Sequence, residues 1–266
     1  MTIPGSASRQ DLTKLKELVY QSEYLVVLTG AGISTASGIP DFRGTNGIYS
    51  KYPDAEKLAR FDLYVSNSEI RKKAWISQLN SPIWKSKPNK AHLILAELEH
   101  KGILKALITQ NIDGLHQMAG NSTQRVIEIH GTNRKASCLK CFKEYDMQEI
   151  LSRVRKNDLD PKCENKISTV NGTKLCGGII KAATISFGQP LDPEVMDSAL
   201  RHTAKSDLFI AIGTSLVVYP AASLVPLAYQ SGAQVVIINN EPTPYDDLAT
   251  LIIRDDIAQA LSVLGN

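Results

Sequence analysis

Tyr24-Leu25-Val26-Val27-Leu28 is a short, wholly apolar run that stops at Thr29-Gly30-Ala31-Gly32-Ile33-Ser34. A run this short, with no polar alternation and closed by glycines, reads as a strand buried on both faces and ended by a tight turn. The same grammar recurs along the chain. Leu104–Ile108 runs into Thr109-Gln110-Asn111, and Val126–Ile129 runs into His130. Asp207–Ile212 runs into Gly213-Thr214-Ser215, and Gln234–Ile238 into Asn239-Asn240-Glu241. A last run, Thr250–Ile253, ends at Arg254-Asp255-Asp256. Helical spacing marks the stretches between, as in Leu12, Leu15, Leu18 and Val19 over Leu12 to Tyr20. Strands of this kind separated by helices predict an α/β fold, a Rossmann-like parallel sheet with helices on both faces. Polar residues gather just after each strand, where open α/β sheets bind ligands.

Two regions depart from this grammar. One, from about Thr45 to Pro88, holds both tryptophans, Trp75 and Trp84, and no strand signal. The other, Thr132 to Thr184, holds all four cysteines and a charged helical stretch, Met147 to Lys156. Both read as insertions. The expected division is 1–44, 89–131 and 184–266 for the sheet domain, with 45–88 (helical) and 132–183 (cysteine-bearing) forming a small second module.

A chain of 266 residues with 43% hydrophobic content can bury a sizeable core. No apolar run approaches a membrane span, and Met1 to Asp11 lacks the apolar core of a signal peptide, so a cytoplasmic location is expected. A net charge of +3 points to no specific nucleic-acid partner. Four cysteines without a secretion signal favour a metal site or reduced thiols over disulfides.

Gly30-x-Gly32 after a strand fits the start of a dinucleotide fingerprint, in which backbone N–H groups approach a pyrophosphate at a helix N-terminus. Thr35 stands where a third glycine is expected, and no acidic residue ends a second strand about twenty residues on, which disfavours a dehydrogenase. The continuation Pro40-Asp41-Phe42-Arg43-Gly44 puts a rigid turn, a carboxylate, an aromatic face and a guanidinium into one loop. A histidine at a strand end is more often structural than catalytic, and His92, His100, His116 and His202 read as surface or packing residues. His130, directly before Gly131 at a strand end, is the candidate base.

Gly-Ala-Gly-Ile-Ser followed by Gly-Ile-Pro-Asp-Phe-Arg resembles the cofactor signature of the sirtuins, the NAD-dependent protein lysine deacylases. The likeness extends through Gln110-Asn111-Ile112-Asp113, His130-Gly131, Phe187-Gly188, Gly213-Thr214-Ser215-Leu216 and Asn239-x-Glu241. It implies a site for NAD as consumed co-substrate: Gly30, Ala31, Gly32, Thr35, Asp41, Phe42, Arg43, Gln110, Asn111, Ile112, Asp113, Gly213, Thr214, Ser215, Asn239, Asn240, Glu241 and Ile257. In proteins similar to this one the acyl-lysine amide oxygen attacks C1′ of the nicotinamide ribose and nicotinamide leaves. The matching His130 then helps deprotonate a ribose hydroxyl, Asn111 orients the ribose, and Asp113 holds the nicotinamide carboxamide. Phe42 would shield the reactive ribose face. The products implied are free lysine, nicotinamide and 2′-O-acyl-ADP-ribose.

Cys138-x-x-Cys141 is a strong zinc half-site. The second half, Cys163 and Cys176, is split by twelve residues, a departure from the family's usual spacing. Either a flexible loop is inserted between ligands, which costs little entropy, or Cys163 is a free thiol; a structural Cys₄ zinc site is the favoured expectation. By the same likeness Ile185, Phe187, Gly188, Leu216, Val217 and Tyr219 would sandwich an acyl-lysine protein or peptide. Succinyl- and malonyl-lysine deacylases carry a Tyr-x-x-Arg pair in the first insertion. Ser68 to Trp75 holds no such pair, although Arg71 and Lys72 lie there, so a neutral acyl group, acetyl by default, is expected. A mono-ADP-ribosyltransferase using the same NAD pocket is the alternative within the family, and a non-enzymatic NAD-sensing module the alternative outside it.

Overall fold

The computed structural model describes residues 7–42, 44, 47–51, 55–170 and 172–265. In chain order the strands are β1 (Leu25–Thr29), β2 (Leu104–Thr109), β3 (Val126–Glu128), β4 (Gly131–Cys138), β5 (Glu144–Asp146), β6 (Lys166–Thr169), β7 (Gly172–Leu175), β8 (Ile180–Thr184), β9 (Leu208–Ile212), β10 (Gln234–Ile238) and β11 (Leu251–Ile253). Six of them form one parallel sheet in the order β11-β10-β9-β1-β2-β3. That is the doubly wound order, and it reverses direction between β1 and β9.

The sheet's apolar residues divide by parity. Leu25, Val27, Ile210 and Val236 enter one core with the helices Arg9–Gln21 and Lys90–His100. Val26, Leu28, Phe209 and Ile237 enter the other with the helices Pro193–Lys205 and Leu224–Gln230. Both faces being covered is why these strands carry no polar alternation.

A third core lies outside the sheet. It joins Trp75 of the helix Ser68–Leu79 to Ala136, Tyr145, Ile150, Leu151 and Ile180 of the cysteine-bearing region. Among the described residues, 47–88 hold only short helical elements: Ile48–Lys51, Ala55–Leu58, Phe61–Ser66, Ser68–Leu79 and the 3₁₀ turn Pro82–Trp84. The cysteine-bearing region folds as the antiparallel sheet β5-β4-β8 with the helix Met147–Arg155.

Two local expectations change. The glycine turn after β1 opens into a 3₁₀ helix, Ala31–Ser37, and not an α-helix. Its Ile33-Ser34-Thr35 are weak helix formers, Thr35 Oγ1 bonds the Gly32 carbonyl at 2.9 Å, and Gly38 ends the segment at φ +83. The twelve residues between Cys163 and Cys176, expected as a flexible loop, form the two-stranded hairpin β6–β7. Its strands are short and mostly exposed.

Candidate active site

A cleft of about 1180 Å³ opens at the carboxyl ends of β1, β2 and β9 and runs beneath the helical insertion. At its floor two strand-end loops interlock. Gly30 N donates to Ile212 O (3.0 Å) and Gly32 N to Gly213 O (2.9 Å). A Cβ on Gly30 would lie 2.7 Å from both Gly213 O and Thr214 Cβ, and one on Gly32 would lie 2.8 Å from Gly213 Cα. Gly213 has φ +61, and a Cβ there would meet Ile33 N at 2.6 Å. Besides allowing phosphate approach, these glycines let the β1 and β9 loops touch at the switch point.

The second cluster is prearranged by Ser34. Its hydroxyl donates to Asp113 Oδ2 (2.7 Å) and accepts from Asn111 Nδ2 (3.3 Å), which also reaches Gly30 O (3.0 Å). Asp113 Oδ1 accepts from Leu115 N (2.9 Å), and Gln110 Nε2 donates to Thr214 Oγ1 (2.9 Å). Asn111 and Asp113 are almost fully buried. Ser34 escaped the site reading; its place four residues after Gly30 in the signature was the available signal.

His130 follows β3. Its Nδ1 lies 2.9 Å from the Gln110 carbonyl, so Nδ1 carries the proton and Nε2 keeps its lone pair. Burial lowers its pKa from 6.5, opposed by the Gln110 bond, so the imidazole is neutral near pH 7. The next residue locks it in place: Gly131 has φ +70, and a Cβ there would fall 2.1 Å from Ala183 O. Ile185 N completes the lock by donating to His130 O (2.8 Å).

Of the residues expected to meet NAD, all but Arg43 line the cleft; Arg43 lies outside the described residues. Asp41 also braces its own loop, accepting from Gly44 N at 2.8 Å. Phe42 is 40% exposed on the wall. Ile257 begins a helix capped by Asp256, at the far end of the cleft. Asn239 is tied to Glu241 O (2.8 Å) and, through its carbonyl, to Arg254 (2.8 Å).

The expected peptide-binding residues divide. Ile185, Phe187, Gly188 and Tyr219 line the cleft. Leu216 is turned into the core beneath the sheet, and Val217 lies off the wall, whereas Val218, not singled out from sequence, lies on it. Phe187 spends its main chain on the helical insertion: its N–H donates to Ala59 O (2.8 Å), and its carbonyl accepts from Phe61 N (3.0 Å). Lys181, also on the wall and missed from sequence, is buried, which pushes its pKa down to about 8. Its ammonium donates to Thr184 O (2.5 Å) and Ala182 O (3.2 Å).

Away from the cleft, Cys138, Cys141, Cys163 and Cys176 bring their sulfurs within 4.8 Å of one another. Cys138 and Cys176 are 3.7 Å apart, Cys141 and Cys163 3.5 Å. Tetrahedral zinc with bonds of about 2.3 Å sets its sulfurs roughly 3.8 Å apart, so the cluster fits that ion. The hairpin β6–β7 accommodates the long spacing by returning the chain from Cys163 to Cys176. Gly178 leaves room beside the sulfurs, since a Cβ there would lie 2.6 Å from Cys138 Sγ. Four protein ligands leave no open position for catalysis.

The sequence pattern of the Sir2 family matches residues 30–220, from the first glycine of the turn to Pro220. The chain belongs to the Sir2 family. Among its Sir2 relatives is NAD-dependent protein deacetylase 2 of Streptomyces coelicolor, 42% identical over 240 residues, which span 90% of this chain and 95% of the relative. Another is the NAD-dependent protein deacetylase of Thermotoga maritima, 39% identical over 249 residues, spanning 92% and 95%. A solved Sir2 structure with a p53 peptide and NAD⁺ superposes with a TM-score of 0.82 at 34% identity, covering 94% of this chain and 95% of that one. As a Sir2 protein, this chain has the parallel six-stranded Rossmann-like sheet described above, with a cysteine cluster compatible with a structural zinc ion.

Proposed function

We propose that this protein removes acyl groups, acetyl foremost, from protein lysines while consuming NAD and one water, and releases nicotinamide, free lysine and 2′-O-acyl-ADP-ribose. The observation that carries this reading is a neutral His130 on the same cleft as Asn111, Asp113 and the interlocked glycine loops. Nicotinamide is a good leaving group, so the site needs positioning and a mild base more than a strong acid. His130 is that base: with Nδ1 held by Gln110 O, Nε2 takes the ribose hydroxyl proton. Asn111 and Asp113, pinned by Ser34, orient the ribose and the nicotinamide carboxamide. The Gly30–Gly32 and Gly213–Ser215 loops receive the phosphates, and Asn239 to Glu241 the far ribose. Arg43 is assigned to the phosphates by the family likeness alone.

The acyl-lysine peptide lies between the Ile185–Gly188 and Val218–Tyr219 walls. The division into a sheet domain (1–44, 89–131, 184–266) and a small module (45–88, 132–183) is supported by the separate core around Trp75. Among the described residues no helix is long and apolar enough to cross a membrane. A cytoplasmic location is in keeping with four unpaired thiols gathered around one point.

The test incubates the protein with NAD and an acetyl-lysine peptide and follows nicotinamide and peptide mass. Acetyl loss matched one-for-one by nicotinamide release is expected. Transfer of ADP-ribose to protein without deacetylation would favour the transferase reading and overturn this one.

A further inference from the structure

Between β2 and the helix Leu115–Ala119 the chain runs as a loop, 110–114, with no helix or strand of its own. Gln110, Asn111, Ile112 and Asp113 of this loop line the cleft. Its side toward β4 is tied through main-chain acceptors. Asn133 N donates to Ile112 O (2.9 Å), and Arg134 donates to Asp113 O through Nε (3.0 Å) and Nη2 (2.7 Å). Gly114 makes the turn into the helix at φ +70, where a Cβ would meet Arg134 Nε at 2.7 Å.

The side toward the sheet is closed by three side chains from three elements. Thr29, at the end of β1, donates its hydroxyl proton to Thr109 Oγ1 at the end of β2 (2.9 Å), and Thr29 Oγ1 lies 2.9 Å from His116 Nε2 in the helix. With the Thr29 proton spent on Thr109, the bond to His116 is donated by Nε2–H. Burial holds the His116 pKa well below 6.5, so the ring is neutral. Thr109 Oγ1 also accepts from Asn111 N (3.0 Å). Thr29, Thr109 and His116 are at most 2% exposed, and the His92 ring backs His116 at 4.9 Å between centroids. His116 is read from sequence as a packing residue; in the fold its Nε2 is bonded to a hydroxyl beneath the cleft.

We propose that Thr29 and His116 are positioning residues for nicotinamide release, a staple that joins the two feet of the loop and so holds Asn111 and Asp113 at the nicotinamide ribose. This rests on the deacylase reading above. Thr29, Thr109 and His116 are absent from the cleft lining, so the staple acts through the loop alone. Second-row bonds of this kind set the geometry of groups that must be placed within a fraction of an ångström. The adenosine end is lined by Asn239 to Glu241 and Ile257, which lie on other elements. Losing the staple therefore acts on the nicotinamide half of NAD and spares the ADP-ribose half. A purely structural bond would, when lost, weaken both halves together.

The experiment measures deacetylation kcat/KM with an acetyl-lysine peptide, exchange of labelled nicotinamide into NAD, and the Kd for ADP-ribose by calorimetry. Thr29→Val keeps the side-chain shape and deletes the hydroxyl. It should lower both rates by about tenfold and leave the ADP-ribose Kd unchanged. Thr29→Ser keeps the hydroxyl and should restore the rates. His116→Leu should behave as Thr29→Val does, and decides the matter where Thr29→Val does not fold. Thr203→Val removes a different buried hydroxyl, bonded to Ala199 O at 2.8 Å in the helix Pro193–Lys205, and should keep all three values. Wild-type rates in Thr29→Val or His116→Leu, a parallel loss of ADP-ribose affinity, or failure of both variants to fold would overturn the staple and leave the deacylase reading standing. A wild-type protein that neither exchanges nicotinamide nor deacetylates would overturn the deacylase reading and the staple's role in it.

Discussion

Gly213→Ala tests whether the β1 and β9 loops must touch. Residue 213 sits at φ +61, a region that costs an L-residue roughly 1–2 kcal/mol. The new methyl group would also lie 2.6 Å from Ile33 N and 2.8 Å from Gly32 C, backbone atoms with little freedom to move. Overpacking of that kind costs a further ~1–3 kcal/mol. Gly232→Ala is the control, because φ is +90 and nothing lies within 4 Å of its Cβ. Both substitutions remove similar unfolded-state entropy, so that contribution cancels in the comparison. Urea unfolding should therefore place Gly213→Ala about 1–3 kcal/mol below Gly232→Ala. The same variant should raise the KM for NAD, since the displaced loop carries Gly30 and Gly32. Equal stabilities for the two variants would refute the interlock.

The other expectations concern protons and metal. His130→Ala should abolish acyl transfer with the circular dichroism spectrum unchanged, and near-normal deacylation would remove His130 from its role. Because burial lowers the His130 pKa, the acidic limb of kcat/KM should fall at a pH below 6.5; a midpoint above that value would contradict the buried, neutral imidazole. His92 and His116 pack together with ring centroids 4.9 Å apart, and burial lowers both pKa values, that of His92 to about 4. Their folded pKa values lie below the unfolded 6.5, so stability is complete above that pH and declines as the pH falls toward 4. For His92 the loss should reach about 2–3 kcal/mol as the pH approaches 4, which urea midpoints would show as a smaller pH dependence in His92→Asn. Freshly purified protein should contain one zinc per chain, and Cys163→Ser should lose it. Zinc retained in full by that variant would mean that Cys163 is not a ligand.

The strand ends were legible because burial on both faces leaves an apolar run with no polar alternation, and a turn residue must follow it. Tyr24–Leu28, Asp207–Ile212 and Gln234–Ile238 announce themselves in this way. His130 and the Asn111–Asp113 pair were legible as chemistry stranded at such ends. Less was visible where meaning depends on a distant partner. Arg71 stands in the segment where an acyl-reading Arg would lie, and Asp160, 89 residues on, engages it. Leu216 stands in a substrate segment, yet its side chain turns into the core.

By itself the sequence determined the strand-and-turn rhythm, the family signature and the identity of the reacting groups, because periodicity and motif are local properties of the chain. The tertiary structure decided what each group faces. It showed that Gly213 fills the gap against Gly32, that Ser34 ties Asn111 to Asp113, and that the hairpin between Cys163 and Cys176 reunites four sulfurs. Those facts rest on distances between segments tens of residues apart, which the packing of two faces of one sheet and a third core sets and no local pattern encodes.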